Sequence, residues 1–168
     1  MKNKIDGFSL IELLIVVTII GIIAAIAIPN YFASRRSANE GSAISSLRIL
    51  HGAQMTYSSS YGRGEYAGDT SGTLTALSTL GNLALIDDSL GSGSKSGYNF
   101  VGARVVSSGA TPAQFFFSAV PMTVDPIVMR TGEHRFGIAT DGTLRSDTTL
   151  TTQFADVSAV SAASPLGS

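Results

Sequence analysis

The sequence predicts an α+β fold in which a long, kinked N-terminal helix packs on a small antiparallel sheet. Three observations predict it. Residues 13–28 are an uncharged apolar run. Apolar positions then recur at three- and four-residue steps as far as Tyr57. Three strand-like runs, residues 98–106, 114–120 and 135–140, fill the second half.

The helix comes first. Its sixteen uncharged residues, 13–28, are interrupted only by Thr18 and Gly21. With Phe8 to Leu10 in front and a continuation to Phe32, the run reaches the ~20 residues a helix needs to cross a bilayer. Beyond Pro29 the stripe Ala43, Leu47, Leu50, Gln54 and Tyr57, widened by Ile44 and Ala53, marks one face of an amphipathic helix, with Gln54 its polar exception. A single helix over residues 8–58 would be ~75 Å long. Pro29 cannot donate to the carbonyl of Ala25, which predicts a kink there, and Gly21 weakens the same stretch.

The middle of the chain, residues 59–97, is rich in Gly, Ser, Asp and Thr. Leu74, Leu77 and Leu80 predict a short helix within it, and "LALIDDSLGSGSKSG" reads as a surface loop. In the strand region, Phe115-Phe116-Phe117 predicts a strand covered on both faces. Asp141-Gly142 predicts a tight two-residue hairpin returning through Thr143, Leu144 and Arg145. The tail after Phe154 is poor in large apolar residues and reads as mobile.

Composition narrows the function. The 168 residues suffice for about one domain with a core. The net charge of −1 gives no general attraction to nucleic acid. The chain has no cysteine, so neither a disulfide nor a cysteine metal site is available. His51 and His134 lack metal-ligand spacing and read as surface or packing residues. Ser92 to Lys95 fits S-x-x-K in form, but lies in a glycine-serine loop without its companion motifs. Asp87, Asp88, Asp141, Asp147 and Asp156 are formal candidates for calcium, and read first as solvated loop residues. No cofactor, metal or enzymatic activity is expected.

One charge stands out at the start of the apolar run, in "KIDGFSLIELLIVVTII". Glu12 sits where an unpaired carboxylate is costly. The stretch resembles the type IV pilin signature: a short basic leader ending in glycine, an aromatic or methylated hydrophobic residue, then glutamate four residues later in an apolar helix. The resemblance implies cleavage by prepilin peptidase between Gly7 and Phe8 and N-methylation of Phe8. It also implies that Gly21 and Pro29 bound a helix segment loosened on assembly. The domains would then be a leader (1–7), a transmembrane and filament-core helix (8–32) and a globular domain (33–168). Cleavage frees an amine on Phe8, one turn from Glu12, and in a water-free bundle a neighbour's amine can pair with that carboxylate and fix the register. Two alternatives stand beside this pairing: Glu12 pairs with its own Phe8 amine, or it stays protonated.

The second half also resembles the closing strands of small bacterial pilins, in "FFFSAVPMT" and "TGEHRFGIATDGTLRSD". The resemblance implies a major pilin of the type IVa class that waits in the inner membrane and then polymerises into an extracellular filament. Its partners would be copies of itself, prepilin peptidase and the inner-membrane pilus assembly machinery. Adhesion, twitching motility and DNA uptake are family activities among which the sequence does not select. Lys2 and Lys4 against Arg35 and Arg36 leave the positive-inside comparison a draw, and the resemblance decides for leader inside. Rivals are a type II secretion pseudopilin, whose D-P-W-G-like stretch is absent at Asp125-Pro126-Ile127-Val128, and a minor pilin. A rival of another class is a secreted binding domain with an ordinary signal peptide cut after Ala25-Ile26-Ala27. Asp6 and Glu12 speak against that last reading. A mature N-terminus at Phe8 or at Ile28 separates the two.

Overall fold

A computed structural model describes residues 8–167. Helix α1, Leu10–Ser60, runs through Pro29 without interruption. After it come α2 (Thr75–Asn82), α3 (Asp88–Gly91), β1 (Ser94–Lys95), β2 (Tyr98–Val105) and β3 (Gln114–Pro121). A 3-10 turn (Ile127–Met129), β4 (Arg135–Ala139), β5 (Leu144–Asp147), α4 (Val157–Ala162) and β6 (Ser164–Pro165) complete the order. The chain is therefore α+β, as the sequence predicts. It divides into two units, Met1–Ser34 and Arg35–Ser168, and α1 contributes to both.

In the first unit, the large apolar side chains of residues 8–28 are exposed. The run is long and apolar enough to cross a membrane, and none of it is buried within the chain. The one hydroxyl in its middle is satisfied locally, since Thr18 Oγ1 donates to Leu14 O at 2.7 Å. That bond lowers the cost of placing a threonine in lipid.

In the second unit the six strands form one antiparallel meander in the order β1-β2-β3-β4-β5-β6. Register follows the side-chain alternation. Phe115 and Phe117 face the main core with Leu47, Leu50, Leu77, Tyr98 and Phe136. Phe116 faces the other way and packs with Ala103, Ala139, Phe154 and Val160. Strand β3 is thus covered on both faces, as its three consecutive phenylalanines require. The helical stripe is also as predicted: Ala43, Leu47, Leu50, Ala53 and Gln54 are buried, joined by Ser46. Gln54 is tolerated there because it is fully paired. Its Nε2 donates to Ala67 O at 2.9 Å and its Oε1 accepts from Ala67 N at 2.8 Å, so a loop is pinned to the helix.

Three expectations need correction. The segment read as a surface loop contains α3 and β1, and its Ile86 and Leu90 are core residues. Asp87 caps α3 by accepting from Leu90 N at 3.0 Å, a helix start hidden in a polar run. The β4–β5 connection is not a two-residue hairpin, because Ile138 pairs with Leu144 and residues 140–143 form the turn. Thr140 is held by β3 instead: its Oγ1 accepts from Phe115 N at 2.8 Å and its own N donates to Phe115 O at 3.1 Å. The tail is folded rather than mobile. Phe154 and Val160 plug the second core, Phe154 N donates to the buried Ser118 Oγ at 2.9 Å, and β6 pairs with β5.

Candidate assembly site on the N-terminal helix

Of the sequence-predicted residues, Gly7 lies outside the described residues. Phe8 is exposed, just ahead of the first turn of α1. Ser9 occupies the N-cap position, its carbonyl accepting from Leu13 N at 3.2 Å. Glu12 reaches back and accepts from Ser9 N at 2.9 Å through Oε2. This is the reciprocal arm of a capping box, which satisfies one of the orphan donors of a helix start. A carboxylate here also meets the positive end of the helix dipole.

The capping arm was missed in reading the sequence, although Ser9-Leu10-Ile11-Glu12 spells the S-x-x-E pattern that announces it. It adds a local partner to those weighed for Glu12. It does not exhaust the carboxylate, whose two oxygens offer about four acceptor sites. An ammonium group can therefore join Glu12 without displacing Ser9.

Gly21 and Pro29 lie farther along the same helix. A Cβ built on Gly21 would meet nothing within 4 Å, so no internal contact of the chain requires glycine there. Any packing demand at Gly21 must come from outside the chain. Pro29 leaves Ala25 without its usual helical donor. Tyr31 and Phe32 follow, with their rings edge to face at 5.6 Å.

The residues weighed for other chemistry have separate structural tasks. Lys95 Nζ donates to Asp87 Oδ2 at 2.7 Å, and Ser92 Oγ donates to Ser89 O at 2.7 Å, so the S-x-x-K members serve α3 and its exit. Asp141 accepts from Arg145 and Asp147 from Arg135, while Asp156 caps α4. The Lys95 ammonium and the Leu90 N–H hold the Asp87 carboxyl below the usual carboxylate range. His51 lies beside the Phe115 ring at 5.4 Å, and His134 Nδ1 lies 3.3 Å from Glu40 Oε1. Burial pushes the Tyr98 phenol well up, and its Oη donates to His134 O at 2.9 Å.

An apolar helix with no cover of its own and a carboxylate in its capped first turn is built for insertion, and comparison with known proteins agrees. Residues 2–28 match the family described as the prokaryotic N-terminal methylation motif. The chain is 49% identical over 51 residues to a type IV major pilin protein, PilA, of Myxococcus xanthus (strain DK1622), covering 30% of this chain and 23% of that one. Its N-terminal segment is thus similar to that of type IV pilins. Over 31 residues, 18% of this chain and 20% of the relative, the chain is 71% identical to a type IV major fimbrial protein, FimA, of Dichelobacter nodosus. A type II secretion system core protein G of Aeromonas hydrophila is 32% identical over 56 residues, 33% of this chain and 39% of that one. The chain thus spans well under half the length of these curated relatives. No solved structure matches it.

Proposed function

We propose that the chain is a structural subunit, not an enzyme, that polymerises into an extracellular type IV pilus filament of the type IVa class through its N-terminal helix. One observation carries the reading: the apolar side chains of residues 8–28 are exposed around a helix whose own chain offers them no cover. Such a surface is covered by lipid before assembly and by neighbouring copies afterwards. Contacts that repeat head to tail without closing give a fibre. Prepilin peptidase cuts between Gly7 and Phe8, Phe8 is N-methylated, and its amine meets the Glu12 of a neighbour. Gly21 and Pro29 bound the stretch that loosens as helices pack. The subunit waits in the inner membrane until the assembly machinery incorporates it into the surface filament.

Shearing cells and sequencing the N-terminus of the released fibre protein tests the reading. Methylated phenylalanine is expected; a start at Ile28 would support the secreted-domain rival. Glu12→Leu should leave the protein inserted yet deplete it from sheared fibres, and undiminished fibre yield would remove the register role. Gly7→Ser should block processing. The similarity to the Aeromonas core protein G favours a pseudopilin as the second reading. Loss of protein secretion on deletion, with no sheared fibre from the parent strain, would select it.

A further inference from the structure

The loop joining β3 to β4, residues 122–134, presents large apolar side chains that the core does not use. Met122, Ile127 and Met129 are 52%, 66% and 59% exposed. The loop that carries them is fastened throughout. Met122 N donates to Gly97 O at 2.8 Å, Thr131 N to Thr123 O at 3.0 Å, and Arg130 Nε to Val124 O at 2.7 Å. Its base is clamped to α1. Asn39 Nδ2 donates to Thr131 O at 2.9 Å, Glu40 Oε1 accepts from Glu133 N at 2.6 Å and His134 N at 3.1 Å, and Arg36 pairs with Glu133 at 3.1 Å. Seven hydrogen bonds or ion pairs thus hold out side chains that gain nothing from water. Large apolar side chains held out on one loop are candidates for contact with a membrane or another protein.

We propose that this loop is a second membrane contact, resting on the bilayer surface while the subunit awaits assembly. The inference rests on reading the apolar run of α1 as inserted in a bilayer. Tyr31 and Phe32 end that run, and aromatic residues favour the level of the lipid headgroups. Arg36, the first clamp residue, follows Phe32 by four residues, ~6 Å of helical rise. Ile127 and Met129 lie four and two residues before the clamped Thr131, a reach of at most ~14 Å. The headgroup layer is itself about 5–8 Å deep on each side. These chain lengths allow the loop tips to reach lipid once the helix is inserted, whereas a neighbouring copy is present only after assembly.

Charge predicts how the loop binds. Arg36 and Arg130 lie on or beside it, as do Glu40, Asp125 and Glu133, so the loop offers no positive excess to anionic lipid. Attachment should come from insertion of apolar side chains and should survive high salt, unlike adsorption to anionic lipid.

Because the chain has no cysteine, one nitroxide can be placed at will. The full chain carrying Ile127→Cys is labelled, reconstituted as monomer into phosphatidylethanolamine and phosphatidylglycerol vesicles, and read for collision with oxygen and with a water-soluble nickel chelate. Ser59→Cys is the aqueous reference, ~35 Å of helical rise beyond Arg36, and Val17→Cys is the lipid reference. A label at residue 127 with an oxygen-to-chelate ratio several-fold above that at residue 59, unchanged at high salt, is the expected result. Equal ratios at 127 and 59, with 17 reading lipid, overturn the membrane contact and leave the inserted helix intact. Protection of 127 only in assembled fibres overturns it in favour of a neighbouring copy. Water at 17 overturns both readings.

Discussion

The two halves of α1 solve the same problem in opposite ways. Both are rich in Ile, Leu and Ala. Before Pro29 the large apolar side chains point in every direction and remain exposed; after Arg35 most gather on one stripe that the globular core buries, with Ile49 and Met55 left outside it. The sequence difference is in the polar residues, not in the apolar ones. Ser45, Arg48 and Thr56 give the second half a wet face, and the first half has none. A helix without a wet face must find cover on all sides, which one small sheet cannot supply. The halves therefore differ in what stabilises them: the second is held by its own chain, the first by whatever surrounds it.

The sharpest test substitutes one large apolar residue in each half. Leu50→Ala removes a fully buried side chain and should destabilise the globular unit by about 3–4 kcal/mol. Ile20→Ala, from an exposed position, should leave its unfolding unchanged. Thermal melts of the full chain in detergent micelles read both. Equal losses would mean that the two halves do not differ as described.

Next comes the polar exception in the buried stripe. Gln54→Leu keeps the volume but strands the N–H and C=O of Ala67, two buried backbone groups, and should cost about 2–3 kcal/mol in the same melts. A neutral result would show that water reaches Ala67. Gly102→Ala should cost about 2 kcal/mol, because a Cβ there would lie 2.3 Å from the Phe117 ring that crosses the neighbouring strand. No position of the N-terminal half offers a counterpart, since Gly21 has open space around it.

These residues show what the sequence could and could not reveal. Period and composition announced α1, its stripe and β2 to β4, because burial on one face leaves a repeat that can be counted. The capping arm of Glu12 was spelled out in Ser9-Leu10-Ile11-Glu12, but the apolar run after it drew attention to the charge and not to its local donor. Helix α3 and the tail were hidden for a different reason. Both are short, and their burial rests on a few side chains, Ile86 and Leu90 at one and Phe154 and Val160 in the other, whose partners lie distant in the chain. The turn over residues 140–143 escapes a local rule because the Thr140 hydroxyl serves a strand 25 residues away.

The smallest expected effect concerns pH, and it too divides the molecule. Burial opposes ionisation of Asp147, but the hydrogen bonds from Arg135 and from Thr149 N–H outweigh it, and its carboxyl titrates below the ordinary 3.8. At Asp141 burial is again outweighed, there by Thr143 N–H and Arg145. Both carboxylates bind a proton less readily when folded. Their contribution is therefore complete above the unfolded value near 3.8 and is lost as pH falls through the lower folded value. Both are partly exposed, so the contribution is modest. It acts on β4, β5 and the tail, where Arg135 also donates to Thr152 O at 2.8 Å and Arg145 to Ser161 O at 2.6 Å. Melts from about pH 5 to about pH 2 should fall less steeply for Asp147→Asn than for the parent. Parallel curves would mean that the Arg135 pair closes the tail without ionic help, leaving the buried Phe154 and Val160 and the β5–β6 pairing to fasten it.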